Sequence, residues 1–130
     1  MQYLLDTDWV AEYLRGTPRF VQAIRERQAD GLAISVITLA ELFSGVARST
    51  DREKAEREVR RILSEVRVLG IDEAICRLWG EEDARLTLAG EKTGDLDLFI
   101  AATALTHSLI LCTQNRKHFE RVENVKIFSL

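Results

Sequence analysis

Oxygen-bearing side chains recur in this sequence at places where a ligand can gather them. Asp6, Glu41, Asp95 and Asp97 bring carboxylates, Asn115 a carboxamide, and Thr7 and Thr113 hydroxyls. Carboxylates held together repel, and a divalent cation is the usual compensation. Such an oxygen set suits Mg²⁺ or Mn²⁺, and no Cys/His cluster has zinc spacing. Local roles compete with this chemistry. Asp95 reads as the N-cap of a helix and Asp97 as an acid in its first turn, facing the dipole. Thr38 and Glu41 fit a capping box, as do Thr50 and Glu53. Asn115 fits the cap of a short helix, and Asp8 the cap of the helix carrying Trp9. For Asp6, directly after a buried run, a site role is the better reading. His107 and His118 have no nucleophile partner nearby in sequence and receive no catalytic role.

The elements that must position these groups alternate. Tyr3-Leu4-Leu5, Leu32–Val36, Val66–Leu69, Leu109–Thr113 and Val125–Phe128 read as strands. Between them lie helical patterns. The first carries Trp9, Val10, Tyr13 and Leu14 and is stopped by Gly16; the second starts at Thr17-Pro18, with Phe20, Val21, Ile24 and Gln28 inward. Leu39, Leu42, Phe43 and Val46 form the inner stripe of the third. The next, to about Val66, mixes acids and bases in the manner of a solvated face, with Ala55, Val59, Ile62 and Leu63 inward. A long helix with Ile75, Leu78, Trp79 and Leu86 follows. The apolar run behind Asp97 then extends to about Thr106. Apolar strands alternating with helices predict an α/β fold with a mainly parallel sheet of four to five strands, covered on both faces. Ligands of such sheets collect at the carboxyl ends of the strands, where Asp6, Thr113 and Asn115 fall.

With 130 residues, 46% of them apolar, the chain has the size of one domain spanning 1–130. Its net charge of -3 argues against strong non-specific DNA binding, but a cation can reconcile acids with a phosphate substrate. Cys76 and Cys112 read as reduced core thiols, which with the lack of a signal-like start points to a cytoplasmic protein. No apolar run approaches the roughly 18–20 residues that span a bilayer.

The ordered segments Leu4-Leu5-Asp6-Thr7, Ser35-Val36-Ile37-Thr38-Leu39-Ala40-Glu41-Leu42 with Gly45, Asp97–Leu105 and Thr113–Phe119 resemble the PIN-domain ribonucleases. Within them the likeness is to VapC-type toxins of toxin–antitoxin pairs. It covers nearly the whole chain. The resemblance implies a three-layer domain with acids at one sheet edge. Asp6, Glu41 and Asp97 match the core acidic positions, and Asn115 matches a fourth that is often Asp. Asp95 lies outside that pattern, as a further metal ligand or a cap. Thr7 and Thr113 would position water or ligands. The implied activity is Mg²⁺-dependent endonucleolytic cleavage of RNA, with Mn²⁺ able to substitute. Arg116, Lys117 and Arg121 would steer the RNA backbone. A VapB-like antitoxin, a homodimer and a larger complex with antitoxin are the implied assemblies. Trp9, Val10, Tyr13, Leu39 and Phe43 are open to core, dimer or antitoxin contacts.

Two other functions compete. Leu4–Val10 also looks like the first motif of the haloacid-dehalogenase phosphatases, although Leu88–Thr93 is not the strand their late acids require. A non-catalytic PIN-like binding module is the second.

Overall fold

The structure, a computed structural model, describes residues 2–130. β1 (Tyr3–Leu5) is followed by α1 (Thr7–Leu14) and α2 (Pro18–Arg27). A 3₁₀ turn over Gln28–Asp30 leads to β2 (Leu32–Ser35), α3 (Val36–Arg48) and α4 (Arg52–Leu63). Then come β3 (Arg67–Leu69), α5 (Glu73–Leu88), α6 (Asp95–Thr106), β4 (Ile110–Cys112), α7 (Arg116–Phe119) and β5 (Ile127–Phe128). The five strands are all parallel, in the order β3-β2-β1-β4-β5. The chain leaves β1 in one direction to build β2 and β3, and returns to its other side for β4 and β5. The gap between the ends of β1 and β4 is therefore the topological switch point.

Alternation along the strands divides the core in two. Leu5, Ile34 and Cys112 face one side, with Trp9, Phe20, Ile24, Leu42 and Ile62. Leu4, Ala33 and Leu111 face the other, with Leu86, Leu98, Ile100, Ala101 and Phe119. α6 has almost no polar face; Leu98, Ile100, Ala101, Ala102, Thr103 and Ala104 are all buried. The Thr103 hydroxyl is satisfied within the helix by donating to Phe99 O at 2.7 Å. Such a helix is rigidly held, and so is the carboxylate in its first turn. Trp9, Val10 and Tyr13 are core residues, while Leu39 and Phe43 are half-buried at its margin.

Several local expectations are corrected. α1 is capped by Asp6, whose side chain accepts from Thr7 N, not by Asp8. α3 is capped by Ser35, so the Thr38/Glu41 capping box does not form. Thr38 lies buried inside the helix, and Glu41 is exposed. Asp51, not Thr50, caps α4 through Lys54 N. Gly94, not Asp95, occupies the N-cap of α6. Gln28 is exposed in the 3₁₀ turn, and Ala23 takes its place in the buried stripe. Cys76 is exposed on α5; only Cys112 is buried, and both are free thiols. At the caps, Asp6 and Asp8, Ser35 and Thr38, and Thr50 and Asp51 are alternative partners for the same orphan amides, and spacing alone does not rank them. Gly16 does end α1 as expected, at φ 78, which other residues adopt with strain.

A buried acid ties the segment after α7 to the rest. Glu82 on α5 is 8% exposed and accepts from Arg85 Nε and Nη2 at 3.1 and 2.8 Å and from Glu123 N at 3.2 Å. The Arg85 guanidinium holds this carboxyl below its ordinary range. Glu82→Ala should lower stability by ~1–3 kcal/mol in urea unfolding, because the Glu123 amide and Arg85 lose their acceptor together.

Candidate active site

β1 delivers Asp6 to the switch point, and Asp6 N donates to Cys112 O at 2.9 Å, fixing it beside the end of β4. The side chain is 6% exposed. One oxygen accepts from Thr7 N at 2.8 Å and the other from Thr113 Oγ1 at 2.7 Å. None of the ion pairs among the described residues includes Asp6. Its pKa is pushed up to about 7, chiefly by burial, then by the charge of Asp8 and, more weakly, that of Asp97. The hydrogen bonds from Thr113 and Thr7 oppose that rise without cancelling it.

From Asp6 a chain of contacts runs both ways. On one side the Thr7 hydroxyl reaches Glu41 Oε1 at 2.8 Å and Thr38 Oγ1 at 3.1 Å. A carboxylate only accepts, so Thr7 gives its proton to Glu41 and receives one from Thr38. On the other side Thr113, fully buried, accepts from Asn115 N at 3.0 Å. The Asn115 amide is 2.9 Å from His118 Nδ1, and that nitrogen is 2.9 Å from Asp97 Oδ2. Glu41, Thr7, Asp6, Thr113, Asn115, His118 and Asp97 thus form one continuous polar network from four separate parts of the sequence.

Asn115 stands at the N-cap position of α7, but its side chain does not cap that helix. Asp95 is outside the network. It is exposed, 3.9 Å from Lys92 Nζ, and its carbonyl accepts from Trp79 Nε1. Residues 3–125 match the PIN domain family. The chain belongs to that family.

Two relatives place it among the VapC proteins. Ribonuclease VapC1 of Haemophilus influenzae (strain R2866) is 33% identical over 129 residues, covering 97% of this chain and 96% of that protein. Ribonuclease VapC10 of Mycobacterium tuberculosis (strain ATCC 25618 / H37Rv) is 37% identical over 124 residues, covering 95% and 90%. Among solved structures, VapBC2 from Rickettsia felis, bound to a DNA fragment from their promoter, superposes with a TM-score of 0.93. It is 27% identical, and the match covers 100% of this chain and 99% of that one.

Two residues of this polar cluster are not expected from the sequence. His118 has no partner near it in sequence, and Asp97 reaches it only through the fold. The available signal was the Asn115/His118 spacing, which brings both to one side of a single helical turn. Asp8 was read as a cap. Instead its carboxylate accepts from Trp9 N at 2.8 Å and Gln114 N at 2.9 Å, clipping α1 to the loop after β4. Burial raises its pKa above the ordinary value.

Among the described residues, no three His, Cys, Asp or Glu side chains come together closely enough to hold one ion. The acids here are linked through hydroxyl and imidazole partners. Asp6 nonetheless fits a hard divalent cation: it is buried and unpaired, with acids rather than bases around it. Arg116, Lys117 and Arg121 are exposed on and after α7. An open groove of about 710 Å³ begins at Thr7 and Glu41 and runs between α1, α3 and α4. Leu14, Leu42, Val46 and Val59 line it, together with Arg15, Arg48 and Lys54. Among the described residues, no helix is long and apolar enough to cross a membrane.

Proposed function

We propose that this PIN-domain protein is a Mg²⁺-dependent endoribonuclease and the toxin of a VapBC-type pair, with Mn²⁺ able to replace Mg²⁺. The observation that carries the reading is the buried, unpaired Asp6 at the switch point, joined by one network to Glu41 and Asp97. Asp6, Asp97 and Glu41 would hold the cation. Asn115 puts a neutral amide beside His118 where a further charge could stand, and Asp95 is left to its helix start.

A bound divalent cation would polarise the scissile phosphodiester and lower the pKa of a bound water. The protein supplies the rest. Glu41, exposed and hydrogen-bonded by Thr7 through Oε1, is placed to accept the proton of the attacking water. Attack in line at phosphorus then releases the 3′ oxygen of the preceding nucleotide. Thr113 and Thr7 fix the Asp6 carboxylate, and the buried face of α6 fixes Asp97. Arg116, Lys117 and Arg121 lie near enough in sequence to the network to meet the RNA backbone, which they would position without reading bases.

A VapB-like antitoxin is the expected partner, and the groove that starts at Glu41 offers it an apolar floor with charged walls of both signs. A homodimer, larger complexes with antitoxin and a cytoplasmic location belong to the same reading. The phosphatase alternative fares worse, since Asp95 and Asp97 open α6 after a loop and not after a strand.

The test is the antitoxin-free protein on total RNA with Mg²⁺, with Mn²⁺ or with EDTA, followed by sequencing of the cut ends. Discrete metal-dependent cuts are expected; intact RNA in all three would sink the reading. Glu41→Gln keeps the Thr7 contact but weakens the base. It should slow cleavage by ~10–100-fold with an unchanged melting temperature.

A further inference from the structure

His118 belongs to the short helix α7, and its backbone is fixed on several sides. Its N–H donates to Asn115 O at 3.2 Å, its carbonyl accepts from Thr93 Oγ1 at 2.9 Å, and the next residue, Phe119, is fully buried. The ring is held in place although its side chain is 56% exposed. Nδ1 faces two groups, Asp97 Oδ2 and the Asn115 amide, each at 2.9 Å. Asp97 as a carboxylate can only accept, so Nδ1 carries the proton and donates it. A donating Nδ1 cannot also receive a proton from Asn115. The Asn115 amide, whose two ends have the same shape, therefore turns Oδ1 toward the ring. One N–H then serves two oxygens, and the ring keeps its Nδ1–H tautomer.

We propose that His118 is a positioning residue of the nuclease site. Its Nδ1–H engages one oxygen of Asp97 and leaves the other for the cation. A metal-binding carboxylate oriented by an imidazole is the mirror of the usual arrangement, in which a carboxylate orients a ligating imidazole. His118 also occupies this place without adding a negative charge, which matters where Asp6 already lacks a counter-ion. The proposal rests on the metal-dependent reading above, and it adds a specific tautomer and a specific donor.

The test has two arms. In EDTA, ¹⁵N shifts of the labelled neutral ring should show Nδ1 protonated and Nε2 bare. Asp97→Ala should release the ring to the opposite tautomer. In the second arm, Mn²⁺ affinity is measured directly. His118→Ala should lower it by ~10-fold, as loss of an outer-shell partner does. His118→Asn, whose Nδ2 donor reaches the place of Nδ1, should restore most of that loss, and all variants should melt together. An Nε2–H ring in the wild type, or equal Mn²⁺ affinity in all three proteins, overturns the role of His118 and leaves the nuclease reading standing. A wild type that binds no Mn²⁺ overturns the metal-dependent reading and this role with it.

Discussion

Asp6→Asn is expected to abolish RNA cleavage, by ~10³-fold or more, while making the metal-free protein more stable at alkaline pH. Both effects come from one carboxylate. Asn keeps an oxygen to accept from Thr7 N and an amide that can donate to Thr113, so the fold loses little. Cleavage is lost because the charge that draws a cation is lost. The stability gain follows from proton linkage. Asp6 has its pKa raised from 3.8 to about 7 on folding, so between those values the folded state holds a proton that the unfolded state has released. Stability conferred by protonated Asp6 is therefore complete below about pH 4 and falls as pH rises to about 7, which is the reverse of a salt-bridged aspartate. The whole loss is on the order of 4 kcal/mol at ~1.36 kcal/mol per pH unit. Urea unfolding in EDTA across this range should show the decline in the wild type and a flatter profile in Asp6→Asn. Parallel profiles would mean that Asp6 is not the strained group. Undiminished cleavage would remove it from the metal site. Asp97→Asn should also lose cleavage, without flattening the profile to the same extent.

What was legible in the sequence follows from the range of the physics involved. Strands such as Leu32–Ser35 and the buried helix behind Asp97 announce themselves by composition, since most of their residues are apolar. The parallel order and the edge at which Asp6 and Thr113 meet follow from alternation of element types. Caps were the weak point. Ser35, Asp51 and Gly94 won over Thr38, Thr50 and Asp95 through backbone angles that no spacing rule encodes. Pairings across the fold were weaker still. The Asp97–His118 contact spans 21 residues and the Asp8–Gln114 contact 106, so each depends on loops whose course is set by the assembled core. Asp6 stands out in the sequence because it directly follows β1, whereas Glu41 lies inside α3 and Asp97 in the first turn of α6, where local helix roles compete. The imidazole between them was missed because α7 has only four residues and no periodicity to read.

Divalent cation should stabilise the wild-type protein, and the gain should itself depend on pH. In the metal-free state the Asp6 charge is opposed by burial and by Asp8 and Asp97. A cation that binds the ionised form supplies the missing counter-charge, so folding and binding are coupled. At ~100 times the dissociation constant, the gain is about 2.7 kcal/mol. Mn²⁺ or Mg²⁺ should therefore raise the melting temperature by several degrees at about pH 8, and by much less at about pH 5, where Asp6 keeps its proton and competes with the metal. Ca²⁺, larger and less exacting in geometry, tests whether charge alone is enough. It should stabilise the fold without supporting comparable cleavage. Asp6→Asn should respond to none of the three ions. A pH-independent increase, or one that persists in Asp6→Asn, would place the cation elsewhere on the surface.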